Sequence, residues 1–82
     1  MNESDSKNVA LQFGEFIKEA RLKKRMTQVE VARLIGVSQA YYNHMEKGIR
    51  NVDLSLAMNL CRVLELDLND FVSTYQNSFY AI

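Results

Sequence analysis

Apolar residues recur every three or four positions along nearly the whole chain, which predicts helix after helix and no strand. Val9, Phe13, Phe16, Ile17 and Ala20 mark the inner face of a first helix. That helix is expected to start near Ser6 or Asn8 and to end in the basic run Lys23, Lys24, Arg25, which suits the negative end of a helix dipole. Thr27 with Glu30 three residues on reads as a capping box, and the second helix then runs to Gly36 with Val31, Ala32 and Ile35 inward. Ser38 caps a third helix, Gln39 to Lys47, with Tyr42 and Met45 on its inner side and Gly48 ending it. A fourth helix is predicted from Leu54 to Leu64 behind Asp53, with Leu54, Ala57, Met58, Cys61 and Leu64 inward. Asp67 can cap a fifth, whose apolar stripe Leu68, Phe71, Val72, Tyr75, Phe79 and Ile82 continues to the last residue.

The expected fold class is therefore all-α, a compact bundle of five helices. Only Gly36, Val37 and Ser38 separate the second helix from the third. A turn that short, containing glycine, makes two helices meet steeply, as in a helix-turn-helix. Residues 1–8 read as a flexible start, 9–74 as the domain, and 75–82 as a C-terminal extension.

Composition narrows the class of function. At 82 residues the chain holds one domain, and its 48% hydrophobic content is too high for a disordered polar chain. One cysteine excludes an intrachain disulfide, and one histidine with one cysteine is too few ligands for a protein zinc site. No phosphate-binding glycine loop and no nucleophile–base motif is present, so neither an enzyme nor a cofactor is expected. No apolar run approaches the ~20 residues that span a bilayer, and the polar start MNESDSKN lacks a signal peptide's apolar stretch, so the expected location is cytoplasmic, with no membrane partner. The formal net charge is zero, but it is unevenly spread. Residues 18–50 carry eight Lys or Arg against three acids, while both flanks are net acidic. A basic middle suits a polyanion, because the local patch matters more than the sum.

The stretches FGEFIKEARLKKRMTQVEVARLIGVSQAYYNHMEKG and RNVDLSLAMNLCRVLELDLNDF resemble the phage-repressor (Xre/Cro-like) helix-turn-helix family. RLKKRMTQ with GIRNVDL also resembles the controller proteins of restriction–modification systems. The resemblance implies a transcriptional regulator on double-stranded DNA, an inverted-repeat operator and a homodimer. It implies that Arg21 pairs with Glu46 and that Gln28 touches a phosphate. The family often has glycine where this chain has Arg25 and Glu65, and proline near Val52, so those turns must be left-handed without glycine or differ.

A helix in the major groove presents its N-terminal end and exposed face to base edges. Here those positions are Gln39, Ala40, Tyr41, Asn43 and His44. Gln39 is the foremost candidate, since a terminal amide can bond adenine bidentately. Gln28, Ser38, Lys47, Arg50 and Asn51 are candidates for phosphate contact. The stripe Phe71, Tyr75, Phe79, Ile82 is the expected dimer contact. An antitoxin-type protein-interaction module that also represses its own operon is the alternative, which would need a protein partner bound outside the helix-turn-helix.

Overall fold

The computed structural model describes the backbone of residues 3–80 and the side chains of residues 8–74. Five helices follow in order: α1 Glu3–Lys23, α2 Gln28–Ile35, α3 Gln39–Glu46, α4 Leu54–Val63 and α5 Leu68–Tyr80. No strand occurs among the described residues. α1 begins before Ser6, earlier than the apolar pattern suggests, because periodicity marks the buried face and is silent where a helix runs on beyond it.

The starts of the helices follow the side-chain chemistry. Thr27 and Glu30 form both halves of the capping box, Thr27 N donating to Glu30 Oε1 at 2.9 Å and Glu30 N to Thr27 Oγ1 at 3.1 Å. Ser38 Oγ accepts from Tyr41 N at 3.1 Å, Asp53 Oδ1 from Leu56 N at 2.8 Å, and Asp67 Oδ1 from Asn69 N at 2.9 Å. Each satisfies a backbone donor that the first helical turn leaves unpaired.

The ends of α1, α2, α3 and α4 share one device. The chain turns left-handed at Arg25 (φ 56°), Gly36 (φ 78°), Gly48 (φ 71°) and Glu65 (φ 55°). The next amide then reaches back five residues: Met26 to Arg21 O, Val37 to Ala32 O, Ile49 to His44 O and Leu66 to Cys61 O, at 2.7–3.1 Å. Glycine adopts this conformation freely, whereas Arg25 and Glu65 adopt it at a cost. The left-handed turn is thus kept where the family's glycine is missing.

The core joins Phe13, Ile17 and Ala20 of α1 to Val31, Ala32 and Ile35 of α2, Tyr42 and Met45 of α3, Leu60 and Leu64, and Phe71 of α5. Leu64 is buried as the sequence pattern has it, but Leu60 is buried in addition, while Leu54 and Met58, expected inward, are exposed. Cys61 is only partly buried. Phe71, expected at a subunit boundary, is 9% exposed and packs edge-on to Phe13 at 5.2 Å and beside Phe16 at 5.4 Å. Its ring anchors α5 to α1 of its own chain and leaves little surface for a second copy. The side chains of Tyr75 and Phe79, and Ile82 altogether, lie outside the described residues.

Two glycines let α1 lie against the end of α3. A Cβ on Gly14 would overlap the carbonyl oxygen of Glu46 and lie 2.6 Å from that of Met45, and one on Gly48 would lie 2.6 Å from Leu11 Cα. Glycine inside a helix costs ~1 kcal/mol relative to alanine. Here it permits a backbone contact that fixes where α3 projects.

Candidate DNA interface

α2 and α3 meet through the turn Gly36–Ser38, and α3 presents Gln39 and Ala40 exposed at its N-terminal end. Tyr42 and Met45, on the opposite side, have no exposed surface. That division makes α3 an anchored helix with one free face. Tyr41, Asn43 and His44 are partly buried on that face, and Lys47, Arg50 and Asn51 are exposed just beyond it. The Arg50 guanidinium stacks over the Tyr41 ring at 4.9 Å, which holds a cation beside the free face. Ser38 both caps α3 and stays exposed, so its hydroxyl hydrogen remains available to an anion. Asn51 also edges an apolar groove lined by Val9, Phe13, Val52, Ala57, Leu68 and Phe71.

A buried ion pair sets the depth of α3 beneath this face. Arg21 Nε donates to Glu46 Oε2 at 2.6 Å and Nη2 to Glu46 Oε1 at 3.1 Å, while Nη1 donates to Met26 O at 2.8 Å. Both side chains are almost fully enclosed. Burial is the largest single influence on the Glu46 carboxyl and works to raise its pKa, but Arg21, Tyr42 and Gln28 together outweigh it, and the net effect lies below the usual carboxylate range. The bond to Glu46 likewise holds the Arg21 guanidinium protonated. The enclosed Tyr42 hydroxyl meets no partner at hydrogen-bonding geometry, and burial first, then the adjacent Glu46 charge, pushes its pKa up.

Gln28 connects this pair to the surface. Its Nε2 donates to Glu46 Oε1 at 3.0 Å and to Asn43 Oδ1 at 3.0 Å, and its Oε1 accepts from Gln39 Nε2 at 3.2 Å. One glutamine thus joins the buried carboxylate to two residues on the free face. Sequence reading pairs Arg21 with Glu46 and assigns Gln28 only to a phosphate; the hub it forms with Gln39, Asn43 and Glu46 spans 18 residues and has no local signal. Gly14 was equally silent, since a helix glycine shows its purpose only against the helix it touches.

An anchored helix after a three-residue turn, with a polar free face and cations at its end, defines a helix-turn-helix. The helix-turn-helix family model matches residues 17–71, and the chain belongs to that family. An uncharacterized HTH-type transcriptional regulator of Archaeoglobus fulgidus is 41% identical over 54 residues, 66% of this chain and 76% of its own. Among solved structures, the restriction-modification controller protein C.AhdI of Aeromonas hydrophila superposes with a TM-score of 0.70 at 29% identity, covering 76% of this chain and 94% of that one. The clp gene regulator ClgR of Corynebacterium glutamicum shares the fold, with a TM-score of 0.77 at 24% identity over 85% of this chain and 74% of its own. The family is one of transcriptional regulators that bind DNA, not of enzymes. Among the described residues, no helix is long and apolar enough to cross a membrane.

Proposed function

We propose that this chain is a sequence-specific, cytoplasmic regulator that binds an inverted-repeat operator as a homodimer, with α3 of each protomer in the major groove. The observation that carries the reading is Gln39, exposed at the start of α3 and held there by Gln28. One of its two amide hydrogens is engaged by Gln28, which leaves one donor beside one acceptor. That pair matches the N6 and N7 edge of adenine. Ala40, next on the helix, is small enough to admit a thymine methyl. Tyr41 and His44 flank these positions, and Lys47, Arg50, Asn51, Ser38 and the α2 N-terminus at Gln28 take the phosphates.

Dimerisation is supported by apolar surface that one protomer leaves open. Leu54 and Met58, one turn apart on α4, are 70% and 54% exposed, and Val72 on α5 is 44% exposed. Val72 also lines the apolar groove, and the sequence stripe Tyr75, Phe79, Ile82 continues from it. The likeness to a restriction-modification controller protein supports a regulatory role.

Selection of bound duplexes from a random pool tests the reading. A two-fold symmetric motif, with half-sites about one turn (~34 Å) apart, is expected. If each protomer neutralises ~3 phosphates, the logarithm of affinity should fall with that of salt at a slope near −5. Absence of an enriched motif would overturn the reading.

A further inference from the structure

Resting on the DNA-binding reading above, we infer that the buried carboxylate of Glu46 dictates, through Gln28, that Asn43 meets the operator as a pure hydrogen-bond donor and selects a base whose major-groove edge only accepts, guanine or thymine.

The inference follows from which groups can donate. A carboxylate paired with Arg21 has no proton to give, so the Gln28 atom at 3.0 Å from Glu46 Oε1 must be its amide nitrogen. That nitrogen has two hydrogens. The second goes to Asn43 at 3.0 Å, so the Asn43 atom facing Gln28 must be the carbonyl oxygen. The side chain of Asn43 can turn no other way without setting two donors against each other. Its NH2 group therefore faces away from Gln28, with no partner among the described residues. The same step fixes Gln39, because Gln28 Oε1 is left to accept and only the nitrogen of Gln39 can give to it at 3.2 Å.

One buried charge thus removes the two-fold ambiguity of three amides. An isolated asparagine can present either end to a base and discriminates little between A, C, G and T. Asn43, pinned by its oxygen, can give to guanine O6 and N7 or thymine O4, meets only a donor at the N4 of cytosine, and at adenine finds one acceptor, N7, beside the opposing N6 donor. Asn43 lies one helical turn after Gln39 on α3, so the base it reads lies beside the one Gln39 reads.

The test compares wild type, Asn43→Ala, Asn43→Asp and Gln28→Met by selection from a random duplex pool. Circular dichroism melting confirms that each folds, which is expected because Gln28 and Asn43 lie outside the core. Wild type should show guanine or thymine at one position per half-site, preferred by roughly five-fold or more. Asn43→Ala should flatten that position alone. Asn43→Asp keeps the oxygen toward Gln28 and presents an acceptor, so preference there should move to cytosine or adenine. Gln28→Met frees both amides and should flatten the Asn43 and Gln39 positions together while the rest of the motif persists. Cytosine preferred at the Asn43 position in wild type would overturn the inference. So would Asn43→Ala lowering affinity evenly for every sequence, which marks a phosphate contact. Failure of wild type to enrich any motif would instead overturn the DNA-binding reading itself.

Discussion

Replacing Glu46 by alanine should be among the most damaging single changes available to this fold. Arg21 and Glu46 are 8% and 6% exposed, so neither charge has water to fall back on. The substitution removes both guanidinium–carboxylate bonds and leaves Arg21 with Met26 O alone of its three acceptor atoms. Stranding one member of a buried ion pair costs about 3–5 kcal/mol. Domains of this size are stable by roughly 0.05–0.15 kcal/mol per residue, so the loss takes a large share of the total. Thermal denaturation should show Tm lower by roughly 15 °C or more. Replacing both residues, as Arg21→Met with Glu46→Leu, should restore part of the loss, since an apolar pair strands no charge. The folded pKa of Glu46 lies below its ordinary 4.5, so its contribution is fully present above that pH and fades as pH falls toward the folded value. The stability gap between wild type and Glu46→Ala should therefore narrow below about pH 4.5. A loss under ~1 kcal/mol, strictly additive single-mutant losses, or a gap unchanged in acid would refute the reasoning.

Gly14→Ala gains helix propensity of ~1 kcal/mol but drives a Cβ into the Glu46 and Met45 carbonyls, so urea titration should show a net loss of roughly 1–3 kcal/mol. Tyr42→Phe removes an enclosed hydroxyl that lies beside the Glu46 carboxylate outside hydrogen-bonding geometry, so it should change stability by no more than ~1 kcal/mol, less than the usual loss on deleting a buried, well-bonded hydroxyl. Arg25→Gly relieves a left-handed backbone at φ 56° and should leave Tm unchanged or raise it by a few degrees, of order ~1 kcal/mol or less, whereas a clear fall would show that Arg25 makes a contact that outweighs its strain.

The order of five helices was legible because caps and periodicity are local. Thr27, Ser38, Asp53 and Asp67 all cap where the sequence puts them. The division of α3 was also legible, since Tyr42 and Met45 fall three apart on the side away from Gln39 and Ala40. What was not legible depends on contacts between distant residues. Leu54 and Met58 share the spacing of core residues, yet the face of α4 that packs against α2 carries Leu60 with the expected Leu64 and leaves those two exposed. Phe71 belongs to a stripe that reads as a dimer seam, but the Phe13 and Phe16 rings take it into the monomer. Gln28 looks like one more polar residue at a helix start; its part in orienting Gln39 and Asn43 appears only when Glu46 is folded beneath it.

Amide chemical-shift mapping with the selected operator duplex tests the central claim, that the free face of α3 meets DNA. The largest changes should fall on Thr27, Gln28, Ser38 to His44, and Lys47 to Asn51, with the outer faces of α4 and α5 unchanged at constant protein concentration. Changes centred on Leu54, Met58 and Val72, with Gln39 to His44 unmoved, would contradict it.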